Sequence, residues 1–222
     1  LAIDRAGQFE RERRIAETLQ HSLLPEQLPN IAGTDVAARY LPAGAGTEVG
    51  GDWYDMFELA DGRIVVAIGD VVGRGVRAAA LMGKLRTSLE AYSFDGRSPQ
   101  QVVERLHSFL ERQHRSEMAT LLYVSIEPDR GSVELASAGH LPLLIRDATG
   151  QARFVARDAS PPLGALPSGR FEVARIDIAA GSTLLLFTDG LVEVRGTSIE
   201  LRLEELRRTV ESGPSEPEAL CD

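Results

Sequence analysis

The sequence predicts an α+β fold in which two stacked, mostly antiparallel sheets are flanked by helices. About ten short runs of β-branched, aromatic and aliphatic residues are typical of strands, and most form consecutive pairs around tight turns. Two helical patterns are inserted after the third run. Hairpin-linked strands favour antiparallel sheets over alternating β-α-β units, and such sheets can stack face to face. With 222 residues, 43% of them hydrophobic, the chain is long enough to bury a sizeable core.

The first helical pattern covers residues 7–24. Ile15, Leu19 and Leu23 form a narrow apolar stripe among charged residues, and Pro25 ends the pattern. Such a helix either packs on the domain or acts as a linker that pairs with another copy. We therefore divide the chain into a helix at 1–24 and a folded domain at 25–222.

The remaining elements follow from local patterns. A strand is predicted at Val36–Leu41, and a hairpin forms around Asp61-Gly62. Ser98 and Gln101 make a capping box that opens a helix running to about His114. The further predicted strands are 53–59, 63–70, 120–126, 132–138, 143–146, 152–156, 171–178 and 182–188, and the further helices are 73–92 and 199–212. Ser215 to Glu218 resembles a second capping box that opens a last helix.

Composition excludes several functions. The net charge is -9, with no strong cluster of basic residues, which argues against a nucleic-acid partner and against an anionic membrane surface. A single cysteine, Cys221, excludes an internal disulfide framework and a cysteine-based zinc site. No apolar stretch approaches membrane-spanning length and no signal-peptide pattern opens the chain, so we expect a cytoplasmic protein.

Three aspartates sit beside glycines close to predicted strands. Asp52 lies in Gly50–Asp55, Asp70 follows the apolar run at 64–68, and Asp189 follows 184–187. A carboxylate at a strand end is held rigidly, and a neighbouring glycine allows close backbone approach to a ligand. Each Asp-Gly pair alone could simply begin a turn. As a set, they indicate a site for a hard cation such as Mg²⁺ or Mn²⁺.

Motifs spread over most of the chain carry a family resemblance. In order they are SLLPEQLP, ARYLPAG, EVGGDWYD, IGDVVGRGVRAAALM, MATLLYVSIEP, SAGHLPLLI, SPPLGALP and LLLFTDGLVEVR. Together they resemble the SpoIIE/RsbU branch of the metal-dependent (PPM-type) serine/threonine protein phosphatases. The resemblance implies a four-layer α-β-β-α sandwich, in agreement with the strand count. It also implies hydrolysis of phosphoserine or phosphothreonine by a metal-activated water, without a covalent phosphoenzyme.

The resemblance also implies roles for individual residues. Asp70 would bridge two Mn²⁺ or Mg²⁺ ions, with the backbone carbonyl of Val71 as a further ligand. Asp189 would serve the first ion, Asp52 would serve the second directly or through water, and Asp55 would support the groups around them. The family completes its first metal site with a late Asp-Asp pair before a final strand. We therefore expect the domain at 25–222 to lack its C-terminal end.

Two arginines and one histidine are further candidates. Arg39 precedes the glycine-rich segment, and Arg74 stands where the family often has histidine; either could meet a substrate phosphate. His140 lies in the SAGH turn. A turn-stabilising hydrogen bond is the favoured role for His140, because no second histidine or cysteine stands at zinc-ligand spacing.

The resemblance names a class of partner as well. The substrate would be a phosphorylated anti-sigma-factor antagonist in bacterial partner-switching signalling. The helix at 1–24 resembles the linker that joins such phosphatases to a sensor domain, and it could form a homodimer. Two alternatives stay open: a regulatory module of the same fold that binds a partner without turnover, and a metal-dependent phosphohydrolase of small molecules.

Overall fold

Paired strands and helices account for most of the chain between residues 50 and 222. The computed structural model describes residues 11, 15, 18, 22–25, 27–41, 50–114, 116–155, 160–167 and 169–222. The strands are β1 Asp52–Glu58, β2 Ile64–Val71, β3 Ala119–Glu127, β4 Ser132–Ala138, β5 Leu143–Arg146, β6 Ala152–Val155, β7 Val173–Asp177 and β8 Thr183–Leu185. The helices are α1 Val76–Phe94, α2 Pro99–Gln113, α3 Ile199–Ser212 and α4 Pro217–Cys221.

The strands form two antiparallel sheets. The larger has the order β1-β2-β3-β4-β7, and the smaller has the order β6-β5-β8. Sequential hairpins join β1 to β2, β3 to β4, and β5 to β6. The predicted hairpin around Asp61-Gly62 is therefore confirmed, and Gly62 takes the positive φ of 81° that a tight turn needs there.

The elements stack as four layers. α1 and α2 pack on one face of the larger sheet, and their core includes Trp53, Leu85 and Leu106. On the other face, Leu122 and Leu135 belong to a second core shared with β5 and β6 of the smaller sheet. α3 covers the outer face of the smaller sheet. The predicted α-β-β-α sandwich is thus confirmed.

Local capping fixes the start of α2. The Ser98 side chain accepts from the Gln101 backbone N–H, and the Gln101 side chain accepts from the Ser98 N–H, as the capping box predicts. α3 also spans the predicted 199–212. The capping box at Ser215 is wrong, because α4 begins at Pro217 with Glu216 at its N-cap and no side-chain cap bond.

The strand predicted at Val36–Leu41 is also wrong. These residues have no assigned strand conformation, and Leu41 is exposed. Val36 instead packs on a small core beneath β1 and β2, with Ile31, Met56 and Ile64. The predicted strand at 182–188 ends early, at Leu185. About ten strands were expected, and the described part of the chain contains eight.

Some expectations fall on other parts of the chain. Of the predicted helix at 7–24, the described residues Arg11, Ile15, Thr18, Ser22 and Leu23 are helical. Leu24 is described as a bend, so the helix ends one residue before the predicted end, and the other positions lie outside the described residues. Most of the glycine-rich segment, residues 42–49, also lies outside them. Among the helices that the structure does describe, none combines the length and apolar character needed to cross a bilayer.

Candidate metal centre

Two of the predicted aspartates face each other across a strand pair. In the β1–β2 ladder, Asp52 is the cross-strand partner of Asp70. Directly opposite residues share one face of a sheet, with Cβ atoms about 4.5–5.5 Å apart. The hairpin therefore places two carboxylates side by side at the end of the larger sheet, 18 positions apart in sequence.

The loop after β8 brings the third aspartate to this pair. The chain leaves the ladder after Leu185, and the Thr188 hydroxyl donates a hydrogen bond of 3.2 Å to the Asp52 carboxylate. Asp189 follows, exposed, as the first residue of a short 3₁₀ turn that ends at Leu191. Thr188 therefore ties the Asp189 loop to β1.

Burial and the charges of neighbouring aspartates affect the ionisation of Asp52 and Asp70. Burial raises the pKa of Asp70 from 3.8 to about 7, with further contributions from the charges of Asp52 and Asp189. Burial and the Asp189 charge raise the pKa of Asp52 to about 6, while the Thr188 hydrogen bond lowers it. Half-buried like charges of this kind oppose ionisation, and a bound cation would relieve that opposition.

A glycine lets the backbone close in at Val71. A Cβ added at Gly51 would lie 2.2 Å from the Val71 carbonyl oxygen, far inside any allowed contact. The Val71 N–H also donates to the Gly51 carbonyl at 3.2 Å. Gly51 therefore permits the β2 backbone, with its Val71 carbonyl, to lie against the residue that precedes Asp52.

The donor set fits a hard divalent cation. Carboxylates and a backbone carbonyl are the oxygen ligands that Mg²⁺ and Mn²⁺ prefer. Among the described residues, no three acidic, histidine or cysteine side chains converge closely enough to enclose a metal ion by themselves. The Asp52–Asp70 pairing and the Thr188–Asp52 bond nevertheless place these two carboxylates and the Asp189 loop at one end of the larger sheet. Mg²⁺ keeps several waters and needs only one or two carboxylates, so the arrangement is compatible with it.

Comparison with a known family agrees with this geometry. The family model described as "Stage II sporulation protein E (SpoIIE)" matches residues 60–222, which include Asp70 and Asp189. The chain belongs to the SpoIIE family.

Individual relatives place this SpoIIE-family chain further. It is 26% identical to the phosphoserine phosphatase RsbU of Bacillus subtilis, over 90% of this chain and 59% of that protein. It is 35% identical, with a TM-score of 0.70, to a structure of the RsbU and RsbW domains of Rv1364c from Mycobacterium tuberculosis. That match covers 78% of this chain and 48% of the other. The chain thus spans less than two thirds of either protein.

A more distant structure shares the fold. The magnesium complex of RsbX has a TM-score of 0.62 and 19% identity, over 79% of this chain and 78% of that one. At this identity the likeness concerns the fold alone. It shows that the α-β-β-α sandwich of the SpoIIE-family chain is found in a protein whose structure contains magnesium.

Asp55 lies away from the other aspartates of this SpoIIE-family chain. Strand side chains alternate between faces, so Asp55 points to the opposite face from Asp52. Asp55 is buried and accepts from the Arg86 guanidinium of α1 at 2.8 Å. Burial raises the pKa of Asp55, although Arg86 opposes that effect. The contact joins β1 to α1; that Asp55 supports the metal site stays a prediction.

The two predicted arginines have different surroundings. Arg39 pairs with Glu218 and Asp222 of the C-terminal segment, at 2.8 and 2.7 Å. Arg74 is exposed in the loop between β2 and α1, four positions after Asp70. Arg39 is therefore held by the C-terminal segment, and Arg74 is open to solvent.

Two contributors to the site were missed or undervalued in the sequence. Burial, with the charges of Asp52 and Asp70, raises the pKa of Tyr40 to about 12, so its phenol lies near both carboxylates. Tyr40 lies beside Arg39 in the motif ARYLPAG, so the same motif could have indicated both residues. The other contributor is His140, whose ring bonds to Thr120 and Phe187, outside its own turn.

Proposed function

We propose that this SpoIIE-family chain is a metal-dependent serine/threonine protein phosphatase. The observation that carries the proposal is the pairing of Asp52 with Asp70 across the β1–β2 ladder, with Thr188 tying the Asp189 loop to them. Two carboxylates thus lie side by side at one sheet end, and the loop that carries Asp189 is bonded to one of them. The similarity to a phosphoserine phosphatase supplies the reaction class.

The residues have distinct parts in this proposal. Asp70 would bridge two ions of Mn²⁺ or Mg²⁺, as the family resemblance implies, and the Val71 carbonyl would add a ligand. Asp189 would hold one ion and Asp52 the other. Bound cations of this kind supply a nucleophilic water at neutral pH and offset charge on the phosphate. Thr188 would orient the Asp52 carboxylate by donating to one of its oxygens.

Positive side chains near the site would meet the substrate. Arg74 is exposed four positions beyond Asp70, where a phosphate bound at the aspartates would be within reach of a long side chain. Arg39 would first have to leave Glu218 and Asp222. Both pairs are exposed, and exposed ion pairs are weak because water screens them, so Arg39 can exchange these partners for a phosphate.

The proposed substrate is a phosphorylated anti-sigma-factor antagonist. Two observations support this choice: the similarity to RsbU, and the similarity to a chain that carries RsbU and RsbW domains together. By the same resemblance, a sensor domain would precede the helix at 1–24, and this helix would dimerise.

The test is phosphate release from a phosphoserine protein, with and without Mn²⁺, in the full-length protein. We expect Mn²⁺-dependent release by the wild type and a loss of at least 100-fold in Asp70→Asn, as for removal of one preorganised electrostatic group. Asp61→Asn is the matched control, because Asp61 lies on the same hairpin but pairs with Arg63 at the exposed turn. A small phosphate ester, assayed in parallel, separates a protein phosphatase from a small-molecule one.

A non-catalytic regulatory module is the second candidate. It is favoured by the absence, among the residues with described side chains, of three acidic groups that enclose an ion. Such a module would bind its partner protein equally well in the wild type and in Asp70→Asn. No phosphate release from any phosphoprotein, together with intact partner binding, would decide for the module.

A further inference from the structure

A continuous set of hydrogen bonds runs from the strand beside Asp70 to the loop that carries Asp189. Thr120 of β3 is the cross-strand partner of Asp70. Its hydroxyl lies 2.7 Å from His140 Nδ1, and His140 Nε2 lies 3.1 Å from the Phe187 carbonyl oxygen. The imidazole therefore joins β3 to the residue that precedes Thr188.

The partners determine the state of the ring. A carbonyl oxygen only accepts hydrogen bonds, so Nε2 carries the proton and donates to Phe187. Nδ1 then accepts from the Thr120 hydroxyl. The ring is buried, and both of its nitrogens are hydrogen-bonded: Nδ1 to Thr120 of β3, and Nε2 to Phe187 in the loop after β8. A histidine that only stabilised the SAGH turn would have no need to contact residues 20 and 47 positions away.

Phe187 lies where the chain has left the β8 ladder. The pairing of β5 with β8 ends at Leu185, so strand hydrogen bonds do not position the following residues. Thr188 and Asp189 are then placed by the Thr188–Asp52 bond and by the His140–Phe187 bond. The Thr188–Asp52 bond fixes the loop to β1. The His140–Phe187 bond fixes it to β3, because His140 also bonds to Thr120, which lies opposite Asp70.

We propose that His140 is a positioning residue that sets the distance between Asp189 and the Asp52–Asp70 pair, and thereby the affinity for the divalent cation. This inference rests on the proposed function, in which these aspartates hold the cation. His140 does not touch the cation or the substrate; it acts through the Phe187 carbonyl.

Two substitutions separate positioning from packing. In His140→Gln, the amide nitrogen can take the place of Nε2 and donate to Phe187. In His140→Asn, the shorter side chain can accept from Thr120 but cannot reach Phe187. The two variants are similar in polarity, so they differ mainly in the one bond on which the inference depends.

The measurements are Mn²⁺ affinity by calorimetry and the stability of the metal-free protein by urea unfolding, in the full-length protein. We expect His140→Asn to bind Mn²⁺ at least tenfold more weakly, and His140→Gln to stay within about threefold of the wild type, since one lost hydrogen bond corresponds to roughly tenfold. Amide exchange at Leu191 and Val192, which donate to Thr188 and Asp189, should rise in the Asn variant alone.

His107→Asn is the matched control. His107 is a second buried histidine, on α2, whose Nδ1 and Nε2 lie 3.2 and 3.1 Å from the backbone nitrogens of Gly164 and Gly169. Its replacement should lower stability and leave Mn²⁺ affinity unchanged. Thr120→Val gives an independent arm, because it removes the hydroxyl that anchors the ring and should weaken Mn²⁺ binding, with recovery in Thr120→Ser.

The possible outcomes contradict either the positioning role of His140 or the proposed function. Equal Mn²⁺ affinity in His140→Asn and the wild type overturns the inference and leaves the proposed function standing. Equal losses in the Asn and Gln variants, matched by equal losses of stability, also overturn it and assign His140 to packing. A wild type that binds no Mn²⁺ overturns the proposed function, and unchanged amide exchange in His140→Asn would then reject the positioning role separately.

Discussion

Asp52 and Asp70 form an unfavourable pair at the scale of single residues. Like charges directly opposite in a ladder destabilise a sheet, and burial adds to the cost of ionising either carboxyl group. The pKa values of about 6 and about 7 express that cost. The pair therefore destabilises the metal-free protein, and binding of a cation would remove that destabilisation.

The pair makes the stability of the metal-free protein depend on pH. A carboxyl group with a raised folded-state pKa binds more protons when folded, so it stabilises the fold at low pH. For Asp70 this contribution is lost as the pH rises from 3.8, its unfolded value, through about 7. We expect Asp70→Asn to raise the free energy of unfolding at pH 7.5 by about 0.5–2 kcal/mol, and to have a smaller effect at pH 4.5.

Urea unfolding of both proteins in EDTA, at the two pH values, measures this difference. Asp61→Asn again serves as the control. A wild type that is as stable as Asp70→Asn at pH 7.5 would show that the two carboxylates do not repel each other.

The Arg86–Asp55 contact is a favourable pair at the same scale. Arg86 donates to the buried Asp55 carboxylate at 2.8 Å and to the Leu23 carbonyl at 2.7 Å. Arg86→Met would leave a buried carboxylate without its cation, which costs about 3 kcal/mol, the low end for such pairs because Arg86 is partly exposed. Chemical unfolding checks this value.

Two comparisons give that prediction its controls. Arg77→Met removes an exposed pair with Glu117, and it should cost less than about 1 kcal/mol. Adding Asp55→Asn to Arg86→Met should recover stability, because the uncompensated charge disappears. Failure of that recovery would show that Arg86 acts mainly through Leu23.

At the scale of elements, one buried arginine holds the C-terminal helices on the smaller sheet. Arg146 of β5 donates to the backbone carbonyls of Val210, Gly213 and Pro214, at the end of α3 and just beyond it. A cation at a helix C-terminus also interacts favourably with the helix dipole. The sheet side chain thus caps the helix that covers it.

We expect Arg146→Met to lower the free energy of unfolding by about 1.5–3 kcal/mol, the range for hydrogen bonds to a charged group. Arg175→Met is the control, since Arg175 is largely exposed and pairs with Glu134 on the neighbouring strand. Thermal unfolding and amide exchange in α3 would report the change. An Arg146→Met protein with normal protection of α3 would contradict the capping role.

Local signals explain why some elements were predictable from the sequence. The capping box at Ser98 and the turn at Asp61-Gly62 are complete within a few residues, so they gave the start of α2 and the β1–β2 hairpin correctly. The aspartates could be grouped as one site because each lies beside a glycine near a strand end. In each of these cases the signal itself is local, although the contacts that join the aspartates are not.

Long-range partners explain the rest. The strand predicted at Val36–Leu41 does not form, because the local residue pattern cannot show whether a partner strand is present. Tyr40 and His140 owe their importance to groups far along the chain, such as Asp70 and Phe187. A local sequence pattern does not show these long-range contacts, so they could be identified only from the fold.

At the scale of the whole molecule, cation binding should stabilise the protein. At a concentration of Mn²⁺ 100 times its Kd, linkage adds about 2.7 kcal/mol. For a chain of this length that corresponds to a rise in Tm of about 5–11 °C. Thermal unfolding with Mn²⁺ and then with excess EDTA measures it, and Asp70→Asn should show little or no shift. An equal shift in both proteins would place the cation elsewhere.

The N-terminal segment contacts the layer that supports the site. Leu23 lies against Gly83 of α1, where an added Cβ would come within 2.9 Å of the Leu23 side chain, and Arg86 joins the Leu23 carbonyl to Asp55 of β1. We propose that signals from the helix at 1–24 reach the site by this route.

Removing residues 1–21 tests the linker role while keeping Leu23 and Leu24 in place. We expect a change in the oligomeric state by light scattering and a change of at least threefold in phosphate release. Removing residues 1–6 is the control, because the predicted helix at 7–24 stays intact. Unchanged turnover and oligomeric state in the longer deletion would exclude a signalling role for the helix.

The opposed aspartates also have an evolutionary consequence. In a descendant that no longer needed its cation, replacing either Asp52 or Asp70 would be a gain in stability, so drift and selection would act in the same direction. Loss of function and improvement of the fold would then arise from the same mutation. We expect inactive descendants of such phosphatases to have lost one member of this pair early, and to be more robust than their active relatives.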